Sequence, residues 1–415
     1  MALVASAKIP CAVNRMSSSA PESPSEEKTE SPYLTQIRPH YPKPRLPKST
    51  DEVEYAPATR DDAKAINDLY NKVFEQDRSL EHYMWKYWDN PAGPPTGALA
   101  REKATGNCVA TGIAQRRRGW VNGHMTYGAL MCESSTDPDM RGGGRLWREV
   151  MNGFAVYSMD NDGISWGYGG QSTDEAIKIG SRWFGYQVVV QLITWEIRLS
   201  MKPVIQKRLG AFSAVLTPLA DTYLRARWRK HDSGFETREV QSFNAEYDEL
   251  WERYRDSYSF CFFRDAATLN WRYADNPQGT HRILEARKDG KLQGYVVWRE
   301  WIDGDTSIAT VLDFWHGNNQ GILECLLDAA RRKAAANGCA FLRFAVQEDS
   351  PEQQAFETFH SGRKSPYERV DKIIFTPSPG TQPDTHEEHV YHDQCTLLEG
   401  GLHWFYTQGD CDFRD

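Results

Sequence analysis

The sequence has no run of about 18 consecutive apolar residues, the length a membrane-spanning helix needs, and this argues against an integral helical membrane protein. Its eight cysteines stand singly with no CxxC pair, so neither a disulfide scaffold nor a zinc ribbon is indicated. Reduced cysteines in a cytosol-like compartment follow from that. Neither GxGxxG nor GxxxxGK followed by Ser or Thr occurs between a strand and a helix, so the dinucleotide and P-loop readings fail. Positive charge is also short, with 49 Lys and Arg against 57 Asp and Glu and a formal net charge of −8. That balance argues against a dedicated nucleic-acid binder, although a whole-chain sum can hide a basic face. What is present is a 415-residue chain, 40% apolar and 12% aromatic. Such a length accommodates roughly two to three domains, each with a core of its own.

Residues 1–50 read as a disordered tail, because they hold Pro10, Pro21, Pro24, Pro32, Pro39, Pro42, Pro44 and Pro47 and little apolar material. The first twenty residues contain Lys8 and Arg15 and no acid, a weak mitochondrial signal that Pro10 interrupts, so the expected location is cytoplasmic. Order should begin near Val53 with a short strand. Thr59 then caps a helix that carries Ala63, Ile66, Leu69, Tyr70 and Phe74 on one face.

An internal repeat organises the rest. Trp85-Lys86-Tyr87-Trp88-Asp89-Asn90-Pro91 returns 186 residues later as Trp271-Arg272-Tyr273-Ala274-Asp275-Asn276-Pro277. The segments after each copy share their apolar pattern, with Gly112 and Gly294 in equivalent places. Each then turns at a hairpin signal, Asn122-Gly123 or Asp303-Gly304, and runs on into a strand, a helix, a breaker and a further strand. The expected organisation is a domain over 51–197, a connector over 198–232, a second domain over 233–378 and an extension over 379–415. The connector segment 198–230 holds eight Lys and Arg against the single acid Asp221, a local balance of +7.

The sharpest local motif is Asp137-Pro138-Asp139-Met140-Arg141-Gly142-Gly143-Gly144-Arg145-Leu146, between a predicted strand and a predicted helix. A glycine-rich turn at a helix N-terminus can aim backbone N–H groups at an anion such as a pyrophosphate. It can equally be a tight turn that needs φ > 0 and binds nothing.

This stretch resembles the acyl-CoA motif of the GNAT N-acyltransferase superfamily, roughly Gln/Arg-x-x-Gly-x-Gly/Ala after Thr/Val-x-Pro. Thr136, Pro138, Arg141 and Gly144 match, while Leu146 stands where a small residue is usual. Farther on, Phe184-Gly185-Tyr186 is similar to a second family signature, and the repeat resembles tandem GNAT chains. The resemblance covers residues 53–376. It implies an α/β fold of mixed α+β type, with two GNAT-like domains in tandem. In each GNAT domain two central strands splay, the pantetheine arm enters the gap and the pyrophosphate rests on the Arg/Gly loop. Arg141, Gly142, Gly143, Gly144 and Arg145 are then the cofactor-phosphate candidates, and acetyl-CoA or another acyl-CoA is the donor. The second copy reads FWHGNNQGIL at that place and should be degenerate.

A general base must reach the proton it takes. Glu133, eight residues ahead of Arg141, is the first candidate, with a surface or ion-paired glutamate as the alternative. Tyr186 is the candidate acid for the leaving thiolate and Tyr168 its competitor, both against an ordinary core-lining role. Ser172 and Glu175 form a capping box, so Ser172 is structural. Arg225, Arg227, Trp228, Arg229 and Lys230, with Arg116, Arg117 and Arg118, are candidate nucleic-acid contacts, against a solvated linker helix. The expected function is acyl transfer, as acetyl, to an amine of a small molecule or peptide. The alternatives are an aminoacyl-tRNA-dependent or dipeptide-forming transferase, with tRNA as partner, and a non-catalytic scaffold whose cleft Trp147 fills. His386, His389, His392 and Cys395 are spaced by three, with His403 beyond, which fits neither HExxH nor the Pro-rich loop expected there, so no metal and no membrane partner are expected.

Overall fold

The computed structural model describes residues 45–140, 142, 144–160, 163–170, 174–226, 228, 234–279, 281–359, 369–377, 388–399 and 404–411. Residues 1–44 of the expected tail lie outside them. Residues 45–50, expected to belong to that tail, are tethered to α3: Arg45 donates to Glu149 Oε2 at 2.8 Å, and Lys48 N reaches the same oxygen.

The first unit runs β1 (Val53–Pro57), α1 (Ala63–Phe74), α2 (Leu80–Tyr87), β2 (Thr96–Glu102), β3 (Cys108–Val121), β4 (His124–Thr136), α3 (Arg145–Asp160), β5 (Trp166–Gly169), α4 (Asp174–Phe184) and β6 (Gln187–Arg198). A helical hairpin follows, α5 (Lys202–Leu209) and α6 (Ser213–Ala226). The second unit repeats the order as β7 (Glu236–Val240), α7 (Ala245–Tyr254), β8 (Phe260–Phe262), α8 (Ala266–Leu269), β9 (His281–Lys288), β10 (Lys291–Asp303), β11 (Thr306–Trp315), α9 (Gln320–Ala336), β12 (Phe341–Gln347), α10 (Pro351–Phe359) and β13 (Arg369–Pro377). Then come α11 (Glu388–Glu399) and β14 (Trp404–Phe405).

Local chemistry sets several of these boundaries. Thr59 forms a reciprocal capping box with Asp62, which starts a single 3-10 turn before α1. Ile66 and Leu69 are buried, while Phe74 at the end of the helix is half exposed. Ser79 Oγ accepts from His82 N ahead of α2, and Asp265 caps Thr268 N ahead of α8.

The strands join in one sheet, in the order β1-β2-β3-β4-β5-β13-β6-β12-β11-β10-β9-β7. The order is a palindrome of the two units, folded about the β13–β6 pair. The last strand of each unit is exchanged: β13 sits between β5 and β6, while β6 pairs antiparallel with β12 over Gln347–Phe341. In sequence the two units divide cleanly; in space the sheet crosses the division. β4 and β5 are parallel, as are β11 and β12, and the helix between each pair makes the crossover.

Side chains on both faces of the sheet make four apolar clusters. The largest belongs to the second unit and centres on Trp251, Trp298, Trp315 and Phe344. Two smaller clusters lie under α3 and under α1 and α2. The fourth fills the seam around β5, β6 and β13.

The extension past residue 379, expected to be a polar loop, supplies part of that seam. Leu397, Trp404, Tyr406 and Cys411 are buried there, and α11 runs through the stretch that Pro377 and Pro379 suggested was a loop. Burial of the aromatic run, not its polar neighbours, decides its place. His389 and His392 fall in α11, His386 and His403 lie outside the described residues, and no group of three metal-binding side chains occurs among the described residues. No helix among them is long and apolar enough to cross a membrane.

Candidate active site

β4 pairs with β5 at Gly128, Ala129 and Leu130 only, then runs on to Thr136 while staying paired with β3. From Met131 onward no strand lies on its β5 side among the described residues, so the two parallel strands part and a gap opens between them. The gap leads to the glycine turn. Gly142 and Gly144 are exposed, no described residue lies within 4 Å of where a Cβ would stand on either, and Gly144 has φ +68°. The turn therefore uses glycine for backbone conformation, with open space above it. It opens α3, whose first N–H groups and dipole face that space. Lys72 Nζ anchors the approach to the turn, at 2.8 Å from Asp137 and 3.1 Å from Asp139. Arg145 is exposed at the first position of α3; Arg141 and Gly143 lie outside the described residues.

Glu133 is on β4 beside this gap, but its carboxylate points into the α1–α2 side. Arg78 forks onto it, with Nη2 at 3.1 Å from Oε2, and Lys86 Nζ stands 3.1 Å from Oε1. Both cations are buried with it. Burial alone would raise the pKa of Glu133, yet the Lys86 and Arg78 charges outweigh it and hold the carboxyl below its ordinary value. Of the two readings offered for Glu133, the surroundings are those of the ion-paired one. A carboxylate so stabilised is a weak base.

Tyr186 follows Gly185 (φ +69°), the left-handed residue that ends α4. Its ring lies across Gly180, where a Cβ would come within 1.9 Å of the ring. This brings the hydroxyl to Met131 Sδ at 3.6 Å, at the point where β4 leaves β5. A thioether is a weak acceptor, and burial pushes the phenol pKa up, so the proton stays on oxygen at neutral pH. Tyr168 also keeps its proton, but donates it to the Asp410 carbonyl at 2.9 Å inside the seam. Of the two tyrosines, Tyr186 is the one at the gap. Trp147, on the first turn of α3, spans the gap rim: its Nε1 donates to Ser134 Oγ at 2.6 Å, and its ring meets Phe184 edge-on at 5.7 Å. Ser172 lies outside the described residues.

The second unit shows the same parting of strands and a different outcome. β11 pairs with β12 only over Ile308–Val311. The stretch beyond is covered by the C-terminal segment: Thr407 Oγ1 donates to Asp313 Oδ1 at 3.1 Å, and the Phe405 ring packs on Trp315 and Phe314. Helix α9 is capped by its own Asn319, whose Oδ1 accepts from Gly321 N. Behind the plug, Arg264 binds Asp313 at 3.1 Å and Asp410 at 2.6 Å.

Among the described residues, the arginines offered as nucleic-acid contacts have partners within the chain. Arg117 is 4% exposed, lies over the Phe262 ring and stands 3.7 Å from Asp410. It is removed from any surface a phosphate backbone could reach, because its side chain faces the seam between the units. Arg118 pairs with Asp265 and lies over Phe263, and Arg116 lies over the Tyr127 ring. Trp228 instead receives Arg331 and Arg332 of α9, and Arg225 donates to the Ala335 carbonyl. The two basic groups thus pack on different elements. Arg227, Arg229 and Lys230 lie outside the described residues.

No protein-family model matches the chain, and no curated protein matches its sequence. Solved structures match in fold. One is an Enterococcus faecalis V583 protein described as a probable N-acyltransferase, with TM-score 0.54 and 11% identity over 79% of this chain and 72% of that one. N-myristoyltransferase from Saccharomyces cerevisiae with bound myristoyl-CoA matches with TM-score 0.52 and 11% identity over 86% and 89%. A GCN5-related N-acetyltransferase from Anabaena variabilis matches with TM-score 0.54 and 12% identity over 78% and 72%. The chain has the fold of these GCN5-related proteins, built as a tandem.

Proposed function

We propose that the chain is an acyl-CoA-dependent N-acyltransferase whose first unit holds the donor. The observation that carries this reading is the parting of β4 from β5 at Leu130, directly ahead of an open, glycine-built helix N-terminus. The stretch of β4 beyond Leu130 suits the amide groups of a pantetheine arm, and the α3 N-terminus with Arg145 suits the pyrophosphate. Gly142 and Gly144 leave room there, and Arg141 and Gly143 complete the loop in sequence. The solved relatives in fold include a protein with bound myristoyl-CoA, which agrees with an acyl-CoA donor. The acceptor is an amine, and acetyl is the first acyl group to test.

The chemistry is displacement at the thioester carbonyl. The neutral amine nitrogen forms the C–N bond, the C–S bond breaks, and the thiolate takes the proton of Tyr186. The ammonium gives one proton to water before attack; the nitrogen gives its second proton to water as the C–S bond breaks, and water returns a proton to the Tyr186 oxygen, so one proton is released overall. Positioning supplies most of the rate. Glu133 with Arg78 and Lys86 fixes the far side of β4 and so positions the strand.

Thermal stabilisation by acetyl-CoA tests the reading. A ligand at 100 times its Kd adds about 2.7 kcal/mol to the native state. Stabilisation that weakens in Arg145→Ala supports the donor site, and none with any acyl-CoA overturns it. Trp147 across the gap rim favours a second reading, a scaffold with a closed cleft. It predicts that Trp147→Ala gains CoA binding that the natural chain lacks.

A further inference from the structure

The hairpin of α5 and α6 carries an apolar stripe that is exposed among the described residues. Phe212, Val215, Leu216 and Leu219 follow the i, i+3, i+4, i+7 spacing of one helix face and are 43–76% exposed, with Leu209 beside them. Monomeric proteins rarely leave so contiguous an apolar face to water. Lys202, Lys207 and Arg208 accompany it and are all exposed. The one acid of the hairpin, Asp221, is turned inward: its carboxylate accepts from Ser200 Oγ at 2.7 Å and Met201 N at 2.6 Å, which staples α6 to the start of α5. The outward side therefore presents apolar and cationic groups in a chain whose net charge is −8. In sequence the hairpin runs directly on into Arg227, Arg229 and Lys230.

We propose that this hairpin docks on an anionic phospholipid surface, with the apolar stripe at the acyl boundary and the cations among the headgroups. Apolar side chains on one face with Lys and Arg around them are the pattern of a helix that lies in a membrane interface, and anionic lipid attracts such a segment. RNA suits the face less well, because Val215, Leu216 and Leu219 cannot stack on bases. A second copy suits it less well too, because a self-complementary contact would set cation against cation. Ile302, 74% exposed at the β10–β11 turn, marks the same end of the sheet: Leu199 N bonds Ala340 O, Ala340 N bonds Ser307 O, and Ser307 pairs with Ile302. A surface-lying helix needs none of the length of a spanning one.

The experiment is flotation of the full chain with phosphatidylcholine vesicles and with vesicles that also contain phosphatidylserine, at low and physiological salt. Binding to the phosphatidylserine vesicles should exceed binding to phosphatidylcholine alone by roughly tenfold and weaken with salt. Leu219→Glu, at a site 69% exposed, should abolish it while leaving the melting temperature unchanged. Lys207→Glu with Arg208→Glu should reduce it. Absence of flotation, or flotation that Leu219→Glu leaves intact, overturns the proposal. So does a dimer in sedimentation velocity that Leu219→Glu dissolves, or salt-sensitive tRNA binding lost in the Lys207→Glu, Arg208→Glu chain without any vesicle binding.

Discussion

Trp85 and Trp271 hold each other reciprocally: Trp85 Nε1 donates to the Trp271 carbonyl at 2.8 Å, Trp271 Nε1 donates to the Trp85 carbonyl at 2.9 Å, and the two rings stack with centroids 5.6 Å apart. They are the same position of the repeat, so the contact is an isologous one made inside a single chain. It lies on the same pseudo-two-fold relation that makes the strand order a palindrome.

Trp85→Phe and Trp271→Phe should each cost about 1–2 kcal/mol, because each removes an indole donor and leaves a carbonyl unpaired. The double variant should lose less than the sum, with a coupling of at least about 0.5 kcal/mol in a denaturant-unfolding cycle. Strict additivity would mean that the two bonds do not act together.

Glu133→Gln should destabilise the fold by about 3–5 kcal/mol, since it leaves Arg78 and Lys86 buried beside a neutral amide. Because the folded carboxyl sits below its ordinary pKa, its contribution is present above the ordinary carboxylate range and is lost as pH falls through the depressed value. Chemical denaturation at pH 7 reads the first effect. An unchanged midpoint with a large fall in turnover would instead mark Glu133 as an exposed base.

Tyr186→Phe should lower kcat by at least about tenfold and leave the Kd of the acyl-CoA unchanged, as expected for loss of a proton donor. Gly180→Ala should reproduce the defect without touching the phenol, because the new methyl occupies the place of the ring. Single-turnover kinetics beside equilibrium binding separates the two parameters. A rise in Kd with kcat intact would assign Tyr186 to donor binding.

His281 supplies the clearest pH signal. Burial pushes its pKa down to about 4, from 6.5, although its Nδ1 lies 3.0 Å from the Tyr273 carbonyl. The unfolded chain takes the proton first as pH falls. Stability is therefore full above pH 6.5 and declines between about 6.5 and 4, by about 3 kcal/mol at most. Unfolding free energies across that window should show the slope in the natural chain and a shallower one in His281→Gln.

The repeat and the order of elements were legible because Trp-x-Tyr-x-Asp-Asn-Pro survives twice at one offset. The same offset of 186 also joins Arg78 to Arg264 and Ser79 to Asp265, each arginine buried against an acid of the equivalent strand, Glu133 or Asp313. That signal was available in the sequence and would have marked Glu133 as half of an ion pair. The inward turn of Arg117 was not legible, because Arg116, Arg117 and Arg118 look alike until the strand face is known and burial depends on Asp410, far along the chain. The exchange of β6 and β13 was hidden for the same reason: periodicity identifies a strand, but not its neighbour. The C-terminal plug carried a mixed message, since His and Glu upstream of Trp404 and Phe405 suggested solvent while the aromatics required a core.

The place of β13 also sets an order in time. The first unit has its leading strands early, yet its fifth strand finds a partner on that side only in residues 374–377, about two hundred positions later. A ribosome that has released β1 through β6 has released a sheet with an unpaired inner edge, the kind of edge that templates association between chains. Closure waits on contacts of high sequence separation, which are slow to form because a long loop must close first. Synthesis of this chain thus carries a prolonged interval in which its two halves are on hand but neither is finished.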